Sequence, residues 1–311
     1  MQSVRVFQRD DGSVAVRNHL FLLPAVVCAN QVAMDVARRN PSCKYIEHQH
    51  GCAQIGKDLV QTQRVFANLA VSPNVFASLF VGLGCEGIRT GDLFEMVRSR
   101  TRRPVELVMI QGSGGTLAAQ AKVEAWVRGH EAAMDSLTRS DGSWDQLTVG
   151  LLFDDPSGSS SPPAVSEFLQ RMLALGVRVV VPEGGPVMSE LGDAPTRIAH
   201  GEQATAKVSV MTGGSNLLET ATGLTAAGAH FIVHFANQPH AFGNPLVPLI
   251  RFAVAETVYA TFQDDFDGRI VDTGDVEQAL VRVREIVEGR LAAAEELGLD
   301  DFALYRIGPT V

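Results

Sequence analysis

Short runs of branched and aromatic residues alternate with amphipathic stretches along nearly the whole chain, and this alternation restricts the fold more than any other feature. HLFLLPAVV (19–27) reads as a strand and QVAMDVARRN (31–40) as the helix that follows. The same pairing recurs in KYIEHQH (44–50) with DLVQTQRVFANLAV (58–71), and in VFASLFVGLGCE (75–86) with DLFEMVRSRT (92–101). PVELVMIQG (104–112) then leads into a long helix from about Leu117 to Leu137. After the polar, turn-rich TRSDGSWD (138–145), a linker by composition, the pattern restarts. LTVGLLF, VRVVVPEGG, AKVSVMTGG and HFIVHFAN read as strands, while PAVSEFLQRMLALG, NLLETATGLTAAGA and LVPLIRFAVAETVYATF read as helices. A last amphipathic helix is expected from Asp275 to Leu297, with Val276, Leu280, Val283, Ile286 and Val287 on its apolar face. Strands separated by helices pair in parallel, so the fold class is α/β. Two lobes are expected, about 1–140 and 146–311, each a mainly parallel sheet flanked by helices in a Rossmann-like three-layer arrangement.

Composition narrows the function. The 311 residues carry a net charge of −9 and no basic stripe, which argues against nucleic-acid binding through counterion release. The opening MQSVRVFQRDDGSVAVRNH is charged where a signal peptide needs an apolar core. The apolar run LFLLPAVVCA is too short to span a bilayer and contains Pro24. A cytoplasmic protein with no membrane contact is the expectation. The four cysteines, Cys28, Cys43, Cys52 and Cys85, all fall in the first third and suggest no disulfide framework. Cys28, in an apolar run, reads as a buried small hydrophobe and Cys43, in a loop after Pro41, as incidental; Cys52 and Cys85 each end a strand beside glycine.

In open parallel sheets ligands gather beyond the carboxyl ends of the strands. The segments expected there, HQHGCAQ, GLGCEG, QGSGGT, FDDPSGSSS, PEGGP, TGGSN and FANQPHAFGNP, hold most of the distinctive polar residues. On a strand, His48 and His50 would share a face with Cys52 just beyond, a set that suits zinc or iron; the bland reading is a half-exposed strand with hydrogen-bonded histidines. Cys85 and Glu86 precede a helix, where a thiol has a lowered pKa. GSGGT (112–116) and TGGSN (212–216) could cradle a small anion such as a carboxylate, or simply make tight turns. Neither matches a dinucleotide or phosphate-loop fingerprint. His234, inside an apolar strand, reads as a core residue, and His240, in the loop after it, as the better functional candidate. Arg17 and Asn18 stand before the first strand with no periodic pattern to explain them.

Taken together, RDDGSVAVRNHLFLLPAVVCAN, HQHGCAQ, PNVFASLFVGLGCE, VELVMIQGSGGT and FGNPLVPLIRFA resemble the altronate and galactarate dehydratase family, which also includes sulfolactate sulfo-lyase. The resemblance is close over the first 120 or so residues and returns more weakly from about Gly213. It implies elimination of water, or of another leaving group, from a small anionic sugar acid or 2-hydroxy acid, assisted by a divalent metal: Fe2+, with Mn2+ or Zn2+ as alternatives. The matching positions are Arg17, Asn18, His48, His50, Gly51, Cys52, Cys85, Glu86, Gln111, Gly114, Gly115 and Thr116. Among them the resemblance assigns catalysis to His48, His50, Glu86 and Arg17, and metal ligation to His50, Cys52 and Cys85. Asn18, Gln111, Gly114, Gly115, Thr116, Ser215, Asn216, His240 and Asn244 are the expected substrate contacts. A homo-oligomer is expected, and so is a small companion subunit in place of the N-terminal domain that many relatives carry.

The chain also departs from the family pattern. After VGL (149–151) relatives continue Glu-Cys-Gly-Gly-Ser-Asp; here Leu152, Phe153, Asp154, Asp155, Pro156 and Ser157 follow. Asn244 stands where a cysteine is expected, and material is missing between about Gly192 and Ala206. Two accounts follow: an active lyase whose site is rebuilt with Asp154, Asp155 and His240, or a non-catalytic sugar-acid-binding or partner subunit. The first is preferred, because buried polar motifs such as HQHGC and GLGCE cost stability to keep without use.

Overall fold

Parallel strands are stable only with both faces covered, and FIVHFA and LIRFA are buried at every position. The computed structural model describes residues 3–50, 54–154, 162–192 and 195–308. Its largest sheet has seven strands, all paired in parallel. In spatial order they are Thr196–Ile198, Val208–Met211, Arg178–Pro182, Thr148–Phe153, Phe231–Ala236, Leu249–Ala253 and Gly268–Arg269. A second parallel sheet has the order Cys43–Tyr45, His19–Pro24, Val75–Gly82, Val105–Met109. A small antiparallel sheet joins Ser3–Gln8 to Val14–Ala15 and to Ser140–Ser143. The architecture is α/β, with parallel sheets flanked by helices, as the alternation of the sequence requires.

The pleat divides each sheet between two cores. Val149, Leu151, Phe153, Val233, Phe235, Ile250 and Phe252 pack with helices Pro163–Ala174 and Val276–Val287. Their neighbours Leu152, Ile232 and Leu249 face the other way, into a core shared with Phe21, Leu23 and Phe80 of the four-stranded sheet and Phe66 of helix Gly56–Ala70. Leu20, Leu22, Leu79 and Val81 fill a third core under helices Asn30–Arg39 and Thr116–Asp135. Val4, Val6, Val14 and Val16 join the first core, so the start of the chain packs against the seven-stranded sheet. Among the described residues no helix is long and apolar enough to cross a membrane.

TRSDGSWD (138–145), expected as a linker, contributes strand Ser140–Ser143. Cys28, expected in the core, is exposed, while Cys43 is buried. Three further elements differ from the sequence expectation. KYIEHQH is a strand only as far as Tyr45, so His48 and His50 lie in the loop beyond it. LVPLIRFAVAETVYATF is not one helix: Leu249–Ala253 is a buried strand, and only Glu256–Thr261 is helical. A fully buried parallel strand is an unbroken apolar run, which periodicity cannot tell from a buried helix. The last helix stops at Val287, before Gly289 with φ of +125°, and one further turn forms at Ala293–Glu296.

Residues 299–308 run between the two sheets and tie them together. On one side Lys44 pairs with Asp300 at 2.7 Å, Gln49 bonds the backbone of Phe302 and Leu304, and Asp58 accepts the N–H of Ile307 at 2.6 Å. On the other side the Gly243 N–H donates to Asp301 Oδ2 at 2.9 Å. A side chain at Gly243 would place its Cβ 1.8 Å from the Leu299 carbonyl oxygen, so only glycine lets this segment pass.

Arg17 and Asn18 stand at the amino end of strand His19–Pro24. The Arg17 guanidinium bonds both carboxylate oxygens of Glu295, at 2.7 and 2.6 Å, and the carbonyls of Val16, Ile286 and Arg290. It thus caps the carboxyl end of helix Val276–Val287, where a cation is favoured. Asn18 accepts from Arg9 and donates to the Met134 carbonyl. Glu295→Ala would strand this buried cation and is expected to lower unfolding free energy by about 3 kcal/mol. Gly243→Ala, which forces the Leu299 segment away, is expected to cost about 2 kcal/mol. Urea unfolding measures both, and an unchanged midpoint in either variant contradicts the packing described.

Candidate functional site

At the carboxyl edge of the four-stranded sheet, the loop carrying His48 and His50 is held by side chains. Asn30 donates to the His48 carbonyl at 3.0 Å and accepts the His48 N–H at 2.9 Å, while the Val27 N–H bonds the His50 carbonyl at 3.1 Å. The His48 ring is buried edge-on against Phe66, with centroids 5.0 Å apart. Its Nδ1 accepts the His50 backbone N–H at 3.0 Å. A neutral imidazole accepting at Nδ1 carries its proton on Nε2, so His48 presents a donor there rather than a metal-binding lone pair. Burial, with His50 nearby, pushes its pKa down to about 3 and keeps it neutral. His50 is half-buried, its Nε2 has no partner among the described residues, and burial followed by Arg306 lowers its pKa.

Cys85 is exposed in the turn after Val75–Gly82. Next to it, Glu86 accepts the Gly84 N–H at 2.5 Å and the Thr90 hydroxyl, filling the start of helix Thr90–Arg98 with its own carboxylate. Burial would raise the Glu86 pKa, but the bonds from Thr90 and the backbone of 84–86 outweigh it and hold the group ionised. Gly84 has φ of +128°, which favours glycine, and side chains crowd both glycines of VGLG. A Cβ at Gly82 would lie 2.6 Å from Glu86 Oε1, and one at Gly84 would lie 2.4 Å from Gln111 Oε1. In GSGGT, Gly114 and Gly115 have φ of +92° and +116°. Their N–H groups bond back to Gln111 and Ile110, closing one short helix before Thr116 opens the next. Those two donors serve the turn.

A cleft of about 910 Å³ opens at the carboxyl edge of the seven-stranded sheet. Asp154, Glu183, Ser215, Asn216, Thr220, His240 and Asp301 supply its polar lining, and no Lys or Arg is among the described residues that line it. The TGGSN turn within it is capped internally. Asn216 accepts the Glu219 N–H at 3.0 Å, and Glu219 accepts the Ser215 N–H at 2.7 Å. Asn244 Oδ1 accepts the N–H groups of Leu246 and Val247, shaping the turn into the next strand.

Asp154, expected as part of a rebuilt site, pairs with His234, expected only as a core residue, and no local pattern in the sequence marks that pairing. His234 Nε2 lies 2.6 Å from Asp154 Oδ1, and Asp154 Oδ2 accepts the N–H of Asn237 at 2.7 Å and of Gln238 at 2.8 Å. His234 is fully buried with its pKa lowered by burial, which outweighs the pull of Asp154. Burial alone would raise the Asp154 pKa, yet its bonds to His234 and the backbone bring it below the ordinary value. The only local sign of Asp154 was its place directly after the strand LTVGLLF, within FDDPSGSSS.

The expected site residues thus fall in three places. His48, His50, Cys85, Glu86, Gln111 and Thr116 share one sheet's carboxyl edge; Ser215, Asn216 and His240 share the cleft at the other; Arg17 and Asn18 sit at an amino edge. Gly51, Cys52 and Asp155 lie outside the described residues. Among the described residues no three His, Cys, Asp or Glu converge to hold a metal. The buried His50 Nε2 has no hydrogen-bond partner among the described residues, and a single nitrogen lone pair there could meet either a metal or a proton.

Residues 6–135 match the family model described as D-galactarate dehydratase/Altronate hydrolase, second domain, and residues 196–310 match D-galactarate/Altronate dehydratase, C-terminal. The altronate dehydratase of Bacillus subtilis (strain 168) is 28% identical over 190 residues, covering 57% of this chain and 38% of that protein. The altronate dehydratase of Escherichia coli (strain K12) is 27% identical over 199 residues, covering 58% and 39%. The (2R)-sulfolactate sulfo-lyase subunit beta of Chromohalobacter salexigens is 28% identical over 180 residues, covering 57% and 45%. Each match thus takes in less than half of the relative's length. The first family model spans the His48, Cys85 and GSGGT loops and the second spans most of the cleft, so the chain belongs to the altronate/galactarate dehydratase family.

Proposed function

We propose that this chain is a hydro-lyase that removes water, or a comparable leaving group, from a small sugar acid or 2-hydroxy acid to give a 2-keto acid. The observation that carries the reading is the cleft bearing Ser215, Asn216 and His240, which lies largely within the stretch matching the family's C-terminal model. The relatives named altronate dehydratase support a polyhydroxy acid, and the one named sulfo-lyase supports a leaving group other than water. The name subunit beta supports a companion chain.

The reaction takes a proton from the carbon beside the carboxylate, expels a hydroxyl from the next carbon, and leaves an enol that becomes the ketone. It needs a base with a free lone pair and an acid near the leaving oxygen. His50 suits the base, since its lowered pKa leaves it neutral with Nε2 unengaged by any described residue. His48, a neutral Nε2–H donor, suits hydrogen bonding to the substrate rather than proton removal. Glu86 is held as a carboxylate and suits an accepting role. His240 suits proton delivery to the departing hydroxyl. Arg17, saturated at the opposite edge, takes no chemical step in this reading. Among the described residues the cleft carries three carboxylates and no Lys or Arg, so it favours the hydroxyl-bearing end of the substrate over its carboxylate. A divalent ion such as Fe2+, Mn2+ or Zn2+ would be held by Cys52 and Cys85 and would polarise the substrate carboxylate or hydroxyl; His50 would join as a ligand only by giving up the lone pair that makes it the base.

Incubation with aldonic, aldaric and 2-hydroxy acids, with 2-keto acid as the readout, tests the reading. Turnover is expected for at least one acid, with kcat reduced by about 100-fold or more in His50→Ala and His240→Ala. Absence of turnover across the panel, with sugar-acid binding seen by calorimetry, would instead identify a binding subunit.

A further inference from the structure

Asp154 falls in the stretch 136–195 that neither family model covers, at the point where the sequence leaves the family pattern. It also has an unusual set of partners. One carboxylate oxygen meets the fully buried His234, and the other receives two successive backbone N–H groups, of Asn237 and Gln238. Those two residues open the 237–242 loop, which carries His240 and Phe242 into the lining of the cleft. Behind the pair stands Arg251. It is the register partner of His234 on the adjacent parallel strand, so both side chains leave the sheet on the same face. Arg251 is fully buried and bonds the Asp265 carbonyl through Nη1; among the described residues its Nε and Nη2 and the His234 Nδ1 have no hydrogen-bond partner. A buried cation requires a nearby anion, and Asp154 is one of the carboxylates whose charge acts on it.

We propose that Asp154 and His234, backed by Arg251, are positioning residues that lock the 237–242 loop and thereby set His240 in the cleft. The proposal rests on the hydro-lyase reading for its kinetic consequence but not for its structural one. Asp154 joins the end of one strand to the loop leaving its neighbour, and His234 orients the carboxylate through Nε2–H. The pair moves no proton; its chemistry is geometric.

Two measurements test it. Hydrogen exchange read by mass spectrometry should show peptide 237–242 exchanging about tenfold or more faster in Asp154→Asn and His234→Leu. Helix 163–174 should stay at wild-type rates, as the control for an intact fold. His234→Gln, whose amide nitrogen can reach the place of Nε2, should restore slow exchange. On any acid that the wild type converts, Asp154→Asn and His234→Leu should lower kcat by about 100-fold with KM changed little, since a displacement of about 1 Å is enough for that. His234→Gln should stay within about threefold of wild type, keeping the bond that the misplaced variants lose. Unchanged loop exchange in Asp154→Asn, or His234→Gln no better than His234→Leu, overturns the proposal. A wild type that converts no acid counts against the hydro-lyase reading alone, and the exchange data then decide the positioning role.

Discussion

Burial of the seven-stranded sheet on both faces is the constraint on which the rest depends. Its residues alternate between a core under helices Pro163–Ala174 and Val276–Val287 and a core shared with the four-stranded sheet. Neither face can accept an unpaired polar group at low cost, because burial without a partner costs several kcal/mol in an apolar setting, on the order of 2–7. Most polar chemistry is therefore displaced to the strand ends; His234 and Arg251, buried within strands, are among the exceptions and are held through Asp154 and the Asp265 carbonyl. The carboxyl ends of the central strands Thr148–Phe153 and Phe231–Ala236 open onto the large cleft, while the amino end of His19–Pro24 is taken up by Arg17 and Glu295.

Carboxylates at these edges work first as struts. Glu86 fills the turn before one helix, Glu219 the turn before another, and Asp154 the start of the His240 loop. Each satisfies backbone donors that a tight turn would otherwise leave bare. This self-capping takes up the Gly84 and Ser215 N–H groups within their own turns, as those of Gly114 and Gly115 bond back to Gln111 and Ile110. Helix Thr116–Asp135 begins with no side-chain cap. Segment 299–308 adds Asp301 to the same cleft while bonding Gln49, next to His50, so the two edges are mechanically coupled.

Much of the fold was legible, because strand–helix alternation and apolar runs are local properties. The parallel pairing, the cores on both faces and the crowding of polar residues at strand ends all followed from them. What local pattern could not show was long-range capture. KYIEHQH alternates like a strand, yet Asn30 and Val27, from a different crossover, take its backbone after Tyr45. LIRFA has no period of its own, and its identity as a strand depends on neighbours at 232–236 and 268–269. His234 reads as a core residue in isolation, since its partner Asp154 comes alongside only when Leu152 pairs with His234 across the sheet. Arg17 drew attention because nothing local explained it, and its explanation is a helix end more than 250 residues away in sequence, at Ile286 and Glu295.

The claim that the cleft of the seven-stranded sheet receives the hydroxylated end of the substrate is tested most directly by a crystal structure of the protein grown with an aldonic acid. The account predicts density for the acid within hydrogen-bonding reach of Asn216 and His240, with its carboxylate turned away from Asp154 and Asp301. Density bound instead at the amino edge beside Arg17, or a carboxylate seated against Asp154, would contradict it.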